Sequence, residues 1–435
     1  MTGSAFHRRR FQVRRSTFIM VLFIIYLLGA HLRISLYAGG SLLLPMYPML
    51  LSAAVITLLF NRKLLSRAGT VFAAFAGFIL ITPILSSAPG SGYDNTLLGI
   101  LQFLVSVTAA LAFIIAVSTL DQNRLRKLLI WIWITVIVLA ALESAGLKPV
   151  FDQIRELIYS GSGRGVYEAT QRDLSIYGRV RPTVFASEPS FLADTLMAIT
   201  LMTFFLDPRR GQIASWARLG AMAALSFMLA PSFKMAFYLL AAAIWQFWPR
   251  NLKGTVTLLI GLSLAGAIAA LSFDVILTIF LQTAGSHLES GSFYGRIGVA
   301  HTVGLEALYA HPLFGWGLSN QSGLYPLIAQ TWQSSGAFFL FPWYQDNLAE
   351  DLMSNGFWWQ LSFLGFAGTA IFILLVTMML RQLGVVLPFR SLVCSWIVWY
   401  AGAAFVDPHS WFILVVFSVG SLAAFQSPGS RELSS

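Results

Sequence analysis

The run Arg179-Val-Arg-Pro-Thr-Val-Phe-Ala-Ser-Glu-Pro-Ser-Phe-Leu-Ala-Asp194 sets two arginines, then a glutamate beside a proline, directly ahead of a long apolar stretch. A polar stretch that ends where an apolar run of span length begins marks the mouth of a membrane span. The same alternation recurs along the chain, which is 57% hydrophobic and 11% charged over 435 residues. A soluble domain does not have that composition. The reading is an all-α polytopic membrane protein of about twelve transmembrane helices.

The net charge of +10 could suggest a nucleic-acid partner. Most of the basic residues lie in short connections between apolar runs, where the positive-inside rule puts them, and no polyanion groove is needed to explain them. Arg8, Arg9, Arg10, Arg14 and Arg15 hold the N-terminus in the cytoplasm ahead of a first, uncleaved span at 17–30. Further inner clusters follow: Arg62, Lys63 and Arg67 between spans at 41–60 and 69–86, then Arg124, Arg126 and Lys127, then Arg209 and Arg210. Both termini come out cytoplasmic. The chain divides into 1–146 (spans one to five), 147–189 (a first outer segment), 190–273 (spans six to nine), 274–350 (a large outer segment) and 351–435 (spans ten to twelve with a short inner tail). Spans seven and eight are joined by only Ala230-Pro-Ser-Phe-Lys234, a tight outer hairpin with Pro231 at its tip. Cys394 is the single cysteine, so neither a disulfide nor a cysteine metal site can form.

The chemistry-bearing residues gather on the outer side. Arg179, Arg181, Lys234 and Arg296 could share one pyrophosphate, arginine as a bidentate fork and lysine as a point charge. The plainer reading of any one of them is contact with lipid headgroups. Glu188 before Pro189 is a candidate base at the mouth of a span, or equally a partner for an arginine or a cap made with Ser190. Asp346 and Glu350 are further acids near the mouth of span ten. His311 and Trp316 stand in Ala310-His-Pro-Leu-Phe-Gly-Trp-Gly-Leu-Ser-Asn320, where Gly315 and Gly317 permit tight turns and the tryptophan could stack on a sugar. Phe151-Asp-Gln-Ile-Arg-Glu-Leu-Ile-Tyr159 reads as an amphipathic stretch. The histidines and acids lack metal-ligand spacing, so neither a metal nor another cofactor is expected.

Together these stretches resemble the O-antigen polymerase and ligase superfamily. Ser290…Arg296…Ala307…His311-Pro-Leu-Phe-Gly-Trp-Gly317 is similar to its loop signature. Arg181…Glu188-Pro-Ser-Phe-Leu-Ala193 resembles its arginine-rich approach to a central span, in the form seen in Wzy-type exopolysaccharide polymerases, and Ser232-Phe-Lys234 resembles its Ser-Arg at an outer helix end. The resemblance implies a GT-C-like multi-span glycosyltransferase in the bacterial inner membrane. Its donor would be an undecaprenyl-diphosphate-linked glycan, its site would face the periplasm, and a chain-length regulator is an admissible partner. The ligase branch has a histidine followed by Asn, Ser or Gln ahead of a late span. Here the matching positions are Gln345-Asp346, then nine intervening residues and Gly356; the histidine is absent, so the polymerase branch fits better. A flippase, which needs charges at the midplane of several spans, is the competing class.

Overall fold

The computed structural model describes residues 3–38, 41–160, 173–174, 177–249, 253–254, 256–257, 260–261, 294–334 and 352–425. These are overwhelmingly helical. The helices are α1 (Gly3–Leu32), α2 (Tyr47–Leu85), α3 (Tyr93–Val117), α4 (Gln122–Leu142), α5 (Lys148–Tyr159), α6 (Pro189–Phe205), α7 (Ile213–Leu229), α8 (Lys234–Gln246), α9 (Val299–Ala310), α10 (Gln321–Gln333), α11 (Gly356–Gln382), α12 (Pro388–Tyr400) and α13 (Pro408–Val419). A short hairpin, β1 (Leu36–Ala38) against β2 (Ser41–Leu44), links α1 to α2.

Among the described residues, four helical stretches are long and apolar enough to cross a membrane: Tyr47–Leu85, Thr96–Val117, Gln122–Tyr159 and Gly356–Gln382. Apolar stretches at Ser16–Leu32, α6, α7 and α13 are shorter. The centre of the molecule is built from α6 and α13. All of α13 and all of α6 except Ser190 are buried, the condition that allows a helix to be apolar all round. Around them pack α1, α3, α4, α7, α8 and α12.

The spans expected at 41–60 and 69–86 differ from the structure, where they belong to the single 39-residue helix α2. The expected inner connection, Asn61-Arg-Lys-Leu-Leu-Ser-Arg-Ala68, holds no glycine or proline to break a helix. A continuous buried seam runs straight through it: Met49, Ala53, Ile56, Phe60, Leu64, Ala68, Val71, Phe75 and Ile79. That spacing keeps one face of one helix against its neighbours. Arg62 and Arg67 are both exposed, Arg62 on the side opposite the seam. At 1.5 Å per residue the helix is about 58 Å long, nearly twice the thickness of a bilayer's hydrocarbon.

Elsewhere the boundaries follow local chemistry. Gly146, at φ 117°, ends α4 and turns the chain into α5. Pro231 lies in the turn between α7 and α8, and Pro189, Pro388 and Pro408 open α6, α12 and α13, where the missing N–H costs nothing. Gly365, at φ 62° and ψ −171°, breaks α11. The break releases backbone groups that are matched elsewhere. Trp316 and Gly317 donate their N–H groups to Ser362 O and Phe363 O at 2.8 and 3.0 Å, while Phe366 and Ala367 donate to Pro312 O and Leu313 O at 2.8 and 3.0 Å. The loop 311–317 is thus spliced into the interrupted helix.

Candidate functional site

The opening stretch is fixed by groups drawn from far along the chain. Glu143, buried at the end of α4, accepts from the N–H and hydroxyl of Thr183 and from the N–H of Val184, at 2.7–3.2 Å. His31 Nε2 donates to Val184 O at 2.8 Å, and its Nδ1 lies 3.1 Å from Thr195 Oγ1. Phe185 stacks on Phe151 of α5, centroids 4.7 Å apart. These contacts hold Val184 and Phe185 at φ 47° and 69°, a left-handed pair that non-glycine residues adopt only under tertiary constraint.

Past this strap, the first turns of α6 carry Asp194. Its carboxylate accepts from Arg33 Nη2 at 2.8 Å and from Lys234 Nζ at 3.2 Å, with His409 Nε2 at 3.4 Å. All four residues are buried, at most 8% exposed. Each is placed by a helix end. Arg33, at φ 52°, follows the last residue of α1 and lays its guanidinium over the Phe191 ring at 3.6 Å. Lys234 is the first residue of α8 and His409 the second of α13. Residues from the first turns of α8 and α13 thus meet Asp194, which stands in the second turn of α6. A lysine at a helix N-terminus opposes the dipole, whereas an anion there is favoured.

Arg296 joins from the other side. Asn355 Nδ2 donates to its carbonyl at 2.7 Å and to Tyr400 O at 2.8 Å, fixing the turn before α9. Its guanidinium stands 5.4 Å over the Phe233 ring. Gly402 at φ 124° is where Arg296 and Lys234 meet: a Cβ there would lie 2.8 Å from Arg296 Cδ and 3.1 Å from Lys234 Cε. Among the described residues, the buried atoms Arg33 Nε, Tyr238 Oη and both ring nitrogens of His409 have no hydrogen-bond partner. Tyr238 lies one turn beyond Lys234 on α8, facing the same way. Chemically the cluster can hold an anion that competes with Asp194. The Asp194–His409 pair leaves one imidazole nitrogen for proton transfer.

The structure brings together Lys234 and Arg296 of the residues expected from sequence. Arg181 borders them: it forks onto Asp173 at 2.9 and 3.0 Å, lies over Tyr177, and reaches Pro231 O in the α7–α8 turn at 3.3 Å. Arg179 is exposed. Glu188 takes the N-cap position of α6, half-buried, and accepts from Ser190 Oγ at 3.1 Å. His311 and Trp316 lie elsewhere. His311 closes α9, fifteen residues from Arg296 (311 − 296), which is about 22 Å along a helix. Its Nδ1 is 3.2 Å from Ser87 Oγ and its ring meets Trp316 edge-on, while Trp316 Nε1 donates to Ala307 O at 3.2 Å. Gln345, Asp346 and Glu350 fall outside the described residues. Among the described residues, no group of three or more His, Cys, Asp or Glu side chains could hold a metal ion.

Sequence reasoning did not single out Arg33, Glu143, Asp194 or His409 as site residues. The available signal was ionisable residues at or inside predicted spans, which are functional candidates by default. No protein-family model, curated protein or solved structure matches the chain.

Proposed function

We propose that this chain is a membrane glycosyltransferase of the polysaccharide-polymerase type, acting on polyprenyl-diphosphate-linked glycans at the periplasmic face of a bacterial inner membrane. One observation carries the reading: buried Arg33 and Lys234 share the single carboxylate of Asp194, with Arg296 beside Lys234 at Gly402. Such a site favours an anion of high charge. The order of short motifs resembling the O-antigen polymerases supports the same reading, as does the all-helical, membrane-type fold.

The reaction would join a sugar hydroxyl of one lipid-linked repeat unit to the anomeric carbon of the donor glycan. The bond from that carbon to the diphosphate oxygen breaks, and the diphosphate departs carrying the developing negative charge. Arg33, Lys234 and Arg296 would take up that charge as it grows, displacing Asp194 from its cations. His409 is the base best placed for the hydroxyl proton, with Nε2 turned to Asp194 and Nδ1 left to accept. Glu188, engaged with Ser190, stands second.

The test is incubation of the purified protein in liposomes with synthetic lipid-diphosphate repeat units. A ladder of lengthening products, abolished by Lys234→Met, is expected. Transfer only to a lipid A core would identify a ligase. Translocation of the lipid without any product would replace the enzyme with a flippase.

A further inference from the structure

We infer that α5 lies along the lipid–water interface, on the side of the membrane that carries the Asp194 cluster, with one face in the acyl chains of that leaflet. The inference does not depend on the glycosyltransferase reading.

The helix has three faces where an ordinary amphipathic helix has two. Phe151, Arg155 and Tyr159 are buried against the protein. Phe151 stacks on Phe185, Arg155 Nη1 donates to Thr183 Oγ1 at 3.4 Å, and the Tyr159 hydroxyl donates to Leu32 O. A second face is apolar and exposed: Val150, Ile154 and Leu157, continued by Leu147 just before the helix. Leu157, at 77% exposed, belongs to a contiguous apolar patch rather than standing singly, and such patches mark interaction surfaces. The third face is polar, formed by Asp152, Gln153 and Glu156. With 3.6 residues per turn, the centres of the apolar and polar faces are about 130° apart.

The occupant of the apolar face follows from what adjoins it. α4, part of a stretch long and apolar enough to cross a membrane, exposes Trp131, Ile134, Val138 and Leu142 along one side. Leu147, Val150, Ile154 and Leu157 continue that exposed stripe past the bend at Gly146. A lipid-facing stripe that turns a corner and acquires a polar flank has reached the headgroup layer, where such helices lie with the apolar face sunk about 5–10 Å. The lipid surface and the strap at 183–185 are then held by two different faces of one helix.

The experiment places single cysteines at Gln153, Ile154, Glu156 and Leu157 in a Cys394→Ser background, labels them with a nitroxide, and reconstitutes the protein in liposomes. Collision rates with dissolved oxygen and with a water-soluble nickel chelate report depth at each site. All four positions are exposed, so the label does not disturb packing. Labels at 154 and 157 should favour oxygen over nickel by at least tenfold relative to those at 153 and 156. Equal nickel accessibility at all four positions overturns the inference, because α5 would then stand clear of the bilayer. Equal shielding at all four also overturns it, because the polar face would then be covered by protein.

Discussion

Removal of the Asp194 carboxylate tests the cluster most directly. In Asp194→Asn, Arg33 and Lys234 would stay buried with no counterion, since each makes its charge contact to the same oxygen, Oδ2. Stripping one partner from a buried ion pair costs about 3–5 kcal/mol. Lys234→Met should be milder, because Asp194 keeps its 2.8 Å contact to Arg33; loss of one charged hydrogen bond is worth about 1.5–3 kcal/mol. Adding Lys234→Met to Asp194→Asn removes one of the stranded cations, so the double variant should be less damaged than the sum of the two, by about 0.5–3 kcal/mol. The assay is reversible unfolding of the purified protein in bicelles, with all four versions compared at one pH. An anion site makes a second demand. With the competing carboxylate gone, inorganic pyrophosphate should bind Asp194→Asn more tightly than the parent and restore stability, by about 2.7 kcal/mol at one hundred times its Kd. Stability of Asp194→Asn within about 1 kcal/mol of the parent, or strict additivity in the cycle, would refute the buried-pair argument. Failure of pyrophosphate to stabilise the variant would refute the anion reading and leave the ion pairs standing as architecture.

Gly402→Ala forces a Cβ against Arg296 and Lys234 at a φ of 124°; a loss of about 1–3 kcal/mol in unfolding free energy, with weakened pyrophosphate binding, is expected. Gly315→Ala, whose Cβ would come within 2.4 Å of Ser362 O, should undo the splice between the 311–317 loop and α11 and lower the melting temperature without altering pyrophosphate affinity. Glu143→Gln replaces an acceptor of three donors by an amide, which should cost about 1–3 kcal/mol and raise hydrogen exchange at residues 183–188. At the opposite end of α6, burial opposes ionisation of Asp207, but the Arg209 N–H, the Ser215 hydroxyl and the guanidinium groups of Arg126 and Arg218 outweigh it and hold its carboxyl below the usual range. A depressed folded-state value means its contribution is present in full above the ordinary aspartate range and fades as pH falls through the depressed value, so a melting curve from pH 7 downwards should slope less in Asp207→Asn than in the parent.

The all-helical class, the membrane-type composition, the ends of α6, the turn at Pro231 and the amphipathic character of 151–159 are legible in the sequence alone. These follow from hydropathy, proline and glycine, which act within a turn or two of where they stand. The cations at 61–68 read as a loop, whereas the intact 3.6-residue seam of α2 carries the helix straight through them. The sequence brought Lys234 and Arg296 forward as partners but not Asp194, Arg33 or His409. Arg33 and Asp194 are 161 residues apart, and no local pattern in either neighbourhood encodes the pairing. The pairing comes from the packing: α6 and α13 are enclosed on every side, and enclosing them brings Asp194 to His409, Lys234 and Arg33. The opening stretch was read as two arginines and a glutamate at the mouth of a span. In the folded chain its last residue, Asp194, is the one on which the cations close.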